Sequence, residues 1–194
     1  FGPSKLALES YKKTSSKLSR YPELTAESLQ KSIADKFSIN EDQIICGTGS
    51  DEILIFSALA FCSPGDEIIH AKHGFEMYPI ITKYVGAESV LASEDDYKIS
   101  IQSILKNISS STKLIFIANP NNPTSTYLSR LELSSLIKKI PNNIMIVIDT
   151  AYAEFADADD YDNTFDLVNK FKNVLITRTF SKAYSLAGLR LGWG

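Results

Sequence analysis

The chain alternates between two kinds of segment, and this alternation limits the folds open to it more than any other feature. Short apolar runs at 43–46, 67–71, 88–91, 113–118, 144–148 and 173–177 are separated by amphipathic stretches at 26–37, 50–61, 75–84, 101–107 and 129–140. Several runs are almost continuously Ile, Val and Leu, and Ile144-Met145-Ile146-Val147-Ile148 is apolar at every position. A strand wetted on one side would alternate, so these runs predict strands covered on both faces. The β–α rhythm predicts a three-layer α/β/α domain around a mostly parallel sheet. Ligands of such sheets gather at the carboxyl ends of the strands, so the residues after each run are the ones to read for function.

At 194 residues the chain is long enough for one domain with a sizeable core. A net charge of -3 and a pI near 5.5, with scattered Lys and Arg, argue against nucleic-acid and anionic-membrane partners. No apolar run is long enough to span a bilayer, and no secretory signal is read. The two cysteines, Cys46 and Cys62, are expected to be buried thiols in a reducing cytoplasm rather than a disulfide or metal pair. His70 and His73 lack acidic or Cys partners at ligand spacing, so no metal centre is expected. The acidic run 157–162 reads as a solvated loop. The abrupt ends, Phe1-Gly2-Pro3 and Gly192-Trp193-Gly194, suggest a domain cut from a longer polypeptide.

Four segments carry chemistry. Lys182, in Thr179-Phe180-Ser181-Lys182 with Arg190 eight residues on, suits an aldehyde cofactor that also bears a phosphate. The amine can form a Schiff base, while hydroxyls and guanidinium hold the phosphate. Gly47-Thr48-Gly49-Ser50-Asp51-Glu52 joins a run to an apolar helix. Its glycines allow close backbone approach, Ser50 or Asp51 can cap the helix, and the free N–H groups suit an anion. Asn119-Pro120-Asn121-Asn122-Pro123-Thr124 leaves amides at a strand's carboxyl end, able to donate to a phenolate oxygen. Asp149 ends its run with Tyr152 three residues later; a carboxylate there is costly unless paired, and a pyridinium nitrogen would pair it. Each motif alone also has a plain reading: a tight turn, a rigid turn, a helix cap or a surface lysine. Phe75 could equally stack on a flat ring or pack in the core, and nothing local gives Tyr21 a function.

Taken together, these segments resemble the fold-type I pyridoxal-5′-phosphate (PLP) enzymes of the aspartate aminotransferase superfamily. Within it the histidinol-phosphate aminotransferase family, among the class-II PLP-dependent aminotransferases, is most similar. The strings that carry the resemblance are Phe1-Gly2-Pro3-Ser4, Arg20-Tyr21-Pro22-Glu23, Gly47 to Glu52, His73-Gly74-Phe75, Asn119 to Thr124, Ile148 to Glu154 and Thr179 to Trp193. The resemblance implies that residues 1–194 form a PLP-binding large domain, with residues 1–20 as an N-terminal arm and the small domain outside this sequence. It implies Lys182 as the Schiff-base lysine, Asp149 as the partner of the ring nitrogen, and Tyr152 and Asn122 as donors to the ring oxygen. Thr179, Ser181, Arg190 and the backbone of Gly49, Ser50 and Asp51 are implied to hold the phosphate, and Phe75 to stack where the family usually has tyrosine. Tyr21 matches a residue that crosses to the neighbouring subunit's cofactor, implying a homodimer. Ser125 stands where the family often has glycine. The reaction implied is transfer of an amino group from L-histidinol phosphate to 2-oxoglutarate. Transamination of aromatic amino acids and decarboxylation of threonine phosphate remain open alternatives on the same motifs. A non-enzymatic α/β nucleotide-binding module would leave Lys182, Asp149 and Asn122 without a joint purpose.

Overall fold

The fold is that of a computed structural model covering residues 2–162 and 165–194; Phe1, which opens one of the family-like strings, lies outside the described residues. Seven strands form one sheet: β1 (Cys46–Gly47), β2 (Glu67–Ala71), β3 (Glu88–Ala92), β6 (Thr112–Ala118), β7 (Met145–Asp149), β8 (Val174–Thr179) and β9 (Gly192–Trp193), in the order β1-β9-β8-β7-β6-β2-β3. The five from β8 to β3 are parallel, while β9 runs antiparallel to both β8 and β1. A separate hairpin, β4 (Glu94–Asp95) with β5 (Lys98–Ile99), follows β3. Helices α1 (Lys5–Thr14), α2 (Glu27–Phe37), α3 (Ser50–Phe61), α4 (Met77–Tyr84), α5 (Ile101–Asn107), α6 (Arg130–Ile137) and α7 (Asp166–Lys170) complete the chain.

From β2 the chain steps outward to β3, then returns to the far side of β2 for β6 and continues through β7 to β8. The winding reverses between β2 and β6, which opens a crevice beyond their carboxyl ends. The period of two along each strand decides what faces which helical layer. Ile115, Ile117, Ile146 and Ile148 pack with Ile104 of α5 and Leu133 and Leu136 of α6. Leu114, Phe116 and Val147 pack on the other face with Leu54 and Ala58 of α3 and Tyr78 and Ile81 of α4. Both faces are buried, which accounts for the unbroken apolar runs; each fully buried Ile or Leu contributes about 1.5–3 kcal/mol. Asp149 shares the face of Val147, so the same alternation aims its carboxylate toward α4.

Helices α3 and α5 cover the stretches their patterns predict. Others are trimmed by local chemistry. Ser129 caps α6 instead of joining it, in a reciprocal capping box with Glu132, and α6 stops short of Pro141. The run 43–46 is mostly not strand: Glu41–Gln43 forms a 3₁₀ turn and the strand itself is Cys46–Gly47, preceded by Ile45, which exchanges backbone hydrogen bonds of 2.9 Å with Gly194. Cys46 and Cys62 are half-buried rather than buried, and both are free. Burial raises both thiols, Cys62 to about 11, which leaves it protonated and poorly nucleophilic near neutral pH. Part of the acidic run 157–162 is tied down rather than freely solvated. Tyr127 Oη donates to Asp160 Oδ1 at 2.7 Å, and Arg130 pairs with Asp162. Among the described residues, no helix is long and apolar enough to cross a membrane.

Candidate active site

Asp149, at the carboxyl end of β7, is only 5% exposed. Its Oδ1 accepts from Thr177 Oγ1 at 3.1 Å and from the Ala151 amide at 3.2 Å, and its Oδ2 accepts from Tyr78 Oη at 3.2 Å. Thr177 reaches it because β7 and β8 pair Asp149 with Thr177. All three donors are neutral. Burial therefore prevails and lifts the carboxyl above its ordinary range, although the hydrogen bonds pull the other way. Tyr78 is itself buried, stacked on Phe116 with ring centroids 4.7 Å apart, and held well above the usual phenol range by burial and by Asp149. Sequence reasoning missed this residue. The available signal was its place three residues after Phe75, within the stretch 75–84 whose pattern predicts a helix; its partner lies 71 residues away along the chain.

The next strand supplies the amine. Thr179 closes β8, buried, and its Oγ1 accepts from the Ser181 amide at 3.1 Å. This turns the chain so that Lys182 leaves the sheet edge exposed, with Nζ 5.3 Å from the ring centroid of Tyr152. Tyr152 stands just before the 3₁₀ turn Ala153–Phe155.

The amino terminus of α3 forms the opposite end of the site. Neither Ser50 nor Asp51 caps the helix, contrary to expectation: Gly49 is the cap residue at φ 87°, with no side-chain cap hydrogen bond. Glu52 instead turns back to accept from the Thr48 amide at 2.7 Å. The first N–H groups of α3 and the positive end of its dipole are thereby left for a ligand. Arg190 completes the cradle from a left-handed backbone at φ 52°. Its Nη1 donates to Ser181 Oγ at 3.2 Å and to the Ala187 carbonyl at 3.1 Å, while Nη2 lies 3.5 Å from Asp51 Oδ2. Gly49 does not line the cavity; its role is to make room, since a Cβ there would sit 2.4 Å from Arg190 Nη2.

Gly192 matters in the same way with backbone as its neighbour. A Cβ on it would fall 2.3 Å from both Gly49 C and Ser50 N. Gly192→Ala is expected to destabilise the protein by about 3 kcal/mol, the upper end for overpacking against atoms that cannot rotate away. A lowered urea midpoint checks this, and an unchanged midpoint would show that the loop yields freely.

A cavity of about 170 Å³ joins these parts. Its wall includes Ser50, Asp51, Phe75, Asn122, Asp149, Tyr152, Thr179, Ser181, Lys182 and Arg190. Phe75 comes from the loop after β2 and Asn122 from the loop after β6, the two strands that flank the crevice. Ser125 keeps the turn in the left-handed conformation at φ 61°, where glycine would be free of strain; the cost to a non-glycine residue is about 1–2 kcal/mol. A second cavity of about 430 Å³ adjoins the first and shares Pro120, Asn122 and Tyr152 with it. Tyr21 is fully exposed and on neither wall. His73, read from spacing as lacking an acidic partner, has Glu94 at 2.6 Å, brought there by the hairpin. Among the described residues no three His, Cys, Asp or Glu side chains group as a metal site would require.

The residues fit a phosphorylated pyridine aldehyde. Asp149 is a buried carboxylate with no cation paired to it among the described residues, and it opens onto the cavity that also holds an amine and an uncapped helix terminus with an arginine. Comparison with known proteins agrees. Histidinol-phosphate aminotransferase of Pelagibacter ubique is 47% identical over 177 residues, covering 91% of this chain and 49% of that protein. The enzyme of the same name from Ruegeria pomeroyi is 43% identical over 193 residues, covering 100% of this chain and 53% of that protein. The crystal structure of histidinol-phosphate aminotransferase from Sinorhizobium meliloti, in complex with pyridoxal-5′-phosphate, superposes with a TM-score of 0.94 at 25% identity over 100% of this chain and 53% of that one. The chain thus spans about half the length of the curated relatives it matches. Residues 3–194 match the family model for aminotransferase class I and II, and the chain belongs to that family.

Proposed function

We propose that this chain is the cofactor-binding part of a PLP-dependent aminotransferase that takes L-histidinol phosphate and 2-oxoglutarate to imidazole-acetol phosphate and L-glutamate. The observation that carries the reading is one cavity lined at once by Lys182, Asp149, Asn122, Tyr152 and Arg190. The names of the relatives supply the substrate class.

When bound, PLP supplies a protonated ring that spreads the electron pair left on the substrate's alpha carbon. The chain's own residues make this possible. Lys182 would hold the aldehyde through its amine, and the same amine would serve as the base for the proton on the alpha carbon. Asp149 would accept from the ring N–H and hold that proton in place, its direction fixed by Tyr78, Thr177 and the Ala151 amide. Tyr152 and Asn122 would donate to the ring oxygen, and Phe75 would cover one face. Arg190, Ser181, Thr179 and the amides of Ser50 and Asp51 would hold the phosphate.

The working unit is a cytoplasmic homodimer in which Tyr21 reaches the partner's site. Leu18, Tyr21 and Leu24 are 84%, 100% and 99% exposed, as expected of a segment that a second subunit would cover. A coupled glutamate assay of the full-length protein with histidinol phosphate, phenylalanine and threonine phosphate tests the substrate. Histidinol phosphate is expected to give a kcat/KM at least about 100-fold above phenylalanine, since a site built for a polar group rejects an analogue lacking it. Preference for phenylalanine, or release of carbon dioxide from threonine phosphate, would replace this reading.

A further inference from the structure

Phe75 and Asn122 stand on separate irregular loops, and each loop needs an outside anchor to hold its side chain still. The anchor is Glu94, the first residue of the β4–β5 hairpin, outside the cavity and with its side chain only 6% exposed. Its Oε1 accepts from the His73 amide at 2.8 Å, and its Oε2 meets His73 Nδ1 at 2.6 Å. The carbonyl of the same His73 accepts from Asn121 Nδ2 at 2.9 Å. The circuit closes on the hairpin: Thr126 Oγ1 donates to the Tyr97 carbonyl at 2.9 Å, and the Thr126 carbonyl accepts from the Asn121 amide at 2.7 Å. Phe75 lies two residues after His73, and Asn122 one residue after Asn121.

A buried carboxylate is a costly way to attach a hairpin that an apolar contact would hold as well. What the carboxylate adds is direction. It grips backbone and side chain of His73 together, and so aims the carbonyl on which Asn121 rests. We propose that Glu94 is a positioning residue for the cofactor ring, acting through His73 and Asn121 to keep the Phe75 face and the Asn122 amide at a set separation. This inference rests on the PLP reading above.

The test uses full-length holoprotein with Glu94→Ala, Glu94→Gln, Asn121→Ala and the double variant Glu94→Ala/Asn121→Ala. Readouts are the Kd for PLP and the pH midpoint of the bound cofactor's visible band. Glu94→Ala is expected to weaken PLP binding about tenfold and to move that midpoint. Glu94→Gln keeps an acceptor for the His73 amide and a donor for a neutral imidazole, so it is expected to stay within about twofold of wild type. Asn121→Ala cuts the same circuit elsewhere and is expected to match Glu94→Ala, with the double variant losing little more than either. A core variant, Ile137→Val on α6, is expected to lower stability without moving either readout. Wild-type binding in Glu94→Ala or Asn121→Ala, additive losses in the double variant, or equal shifts in Ile137→Val would overturn the proposal. If wild type shows no borohydride-sensitive band, the cofactor reading fails and takes this one with it; a normal wild-type band with an unaltered Glu94→Ala sinks this one alone.

Discussion

Lys182→Ala in the full-length protein is expected to erase the visible band that borohydride reduces, and to lower kcat by at least about 10⁴-fold. A positioned general base accounts for about 10²–10⁴ of rate, and in the proposed function this amine is also the nucleophile that anchors the cofactor. No other side chain on the cavity wall carries a primary amine. Arg190 cannot replace it, because its guanidinium carries no primary amine and is engaged with Ser181, Ala187 and Asp51. Stability should change little, within about 0.5 kcal/mol, because Lys182 is exposed and its change creates no cavity. Absorbance before and after borohydride, with a urea curve on the same samples, separates the two effects. Retention of a reducible band by Lys182→Ala would mean that the covalent link lies elsewhere.

Asp149→Asn is expected to divide activity and stability in opposite directions. Activity should fall by about 10²–10³ in kcat, the scale for removing one preorganised charge from a developing transition state. The cofactor-free protein, by contrast, should become more stable at pH 7. Burial lifts the Asp149 carboxyl above its ordinary value of 3.8, so over that interval the folded chain holds a proton that the unfolded chain has lost. Its contribution is therefore most favourable at low pH and declines as pH rises from the ordinary value through the raised folded one. An amide removes this penalty, still accepts from Thr177 and Ala151, and can donate to Tyr78 Oη. A rise of about 2–4 °C in Tm is expected, the shift that about 1 kcal/mol makes in a chain of this size. A lower Tm in the cofactor-free variant would mean that the hydrogen-bonded carboxylate stabilises the empty site, and that no strain is held there for the cofactor to relieve.

The bounds of α3 and α5 were legible because an apolar run ending at Phe61, and a short helix after Ser100, depend on neighbours within a few turns. That Lys182, Asp149 and Asn122 would share one cavity was legible too, since each closes or follows a strand, and any parallel sheet exposes those ends along one edge. Illegible were Tyr78 beneath Asp149, the Glu94 anchor under His73, and the cap of α3. Each depends on a contact made across the fold, or on a glycine conformation that no residue pattern announces.

Local periodicity and residue chemistry, then, determined the layered architecture and which chemically able side chains are candidates for the site, because both depend on which side chains are present and how they repeat. Only the three-dimensional arrangement decided the strand order, the crevice between β2 and β6, and the neutral surroundings that lift the Asp149 carboxyl. Those depend on which distant segments become neighbours, and hydrogen bonding and desolvation act through space rather than along the chain.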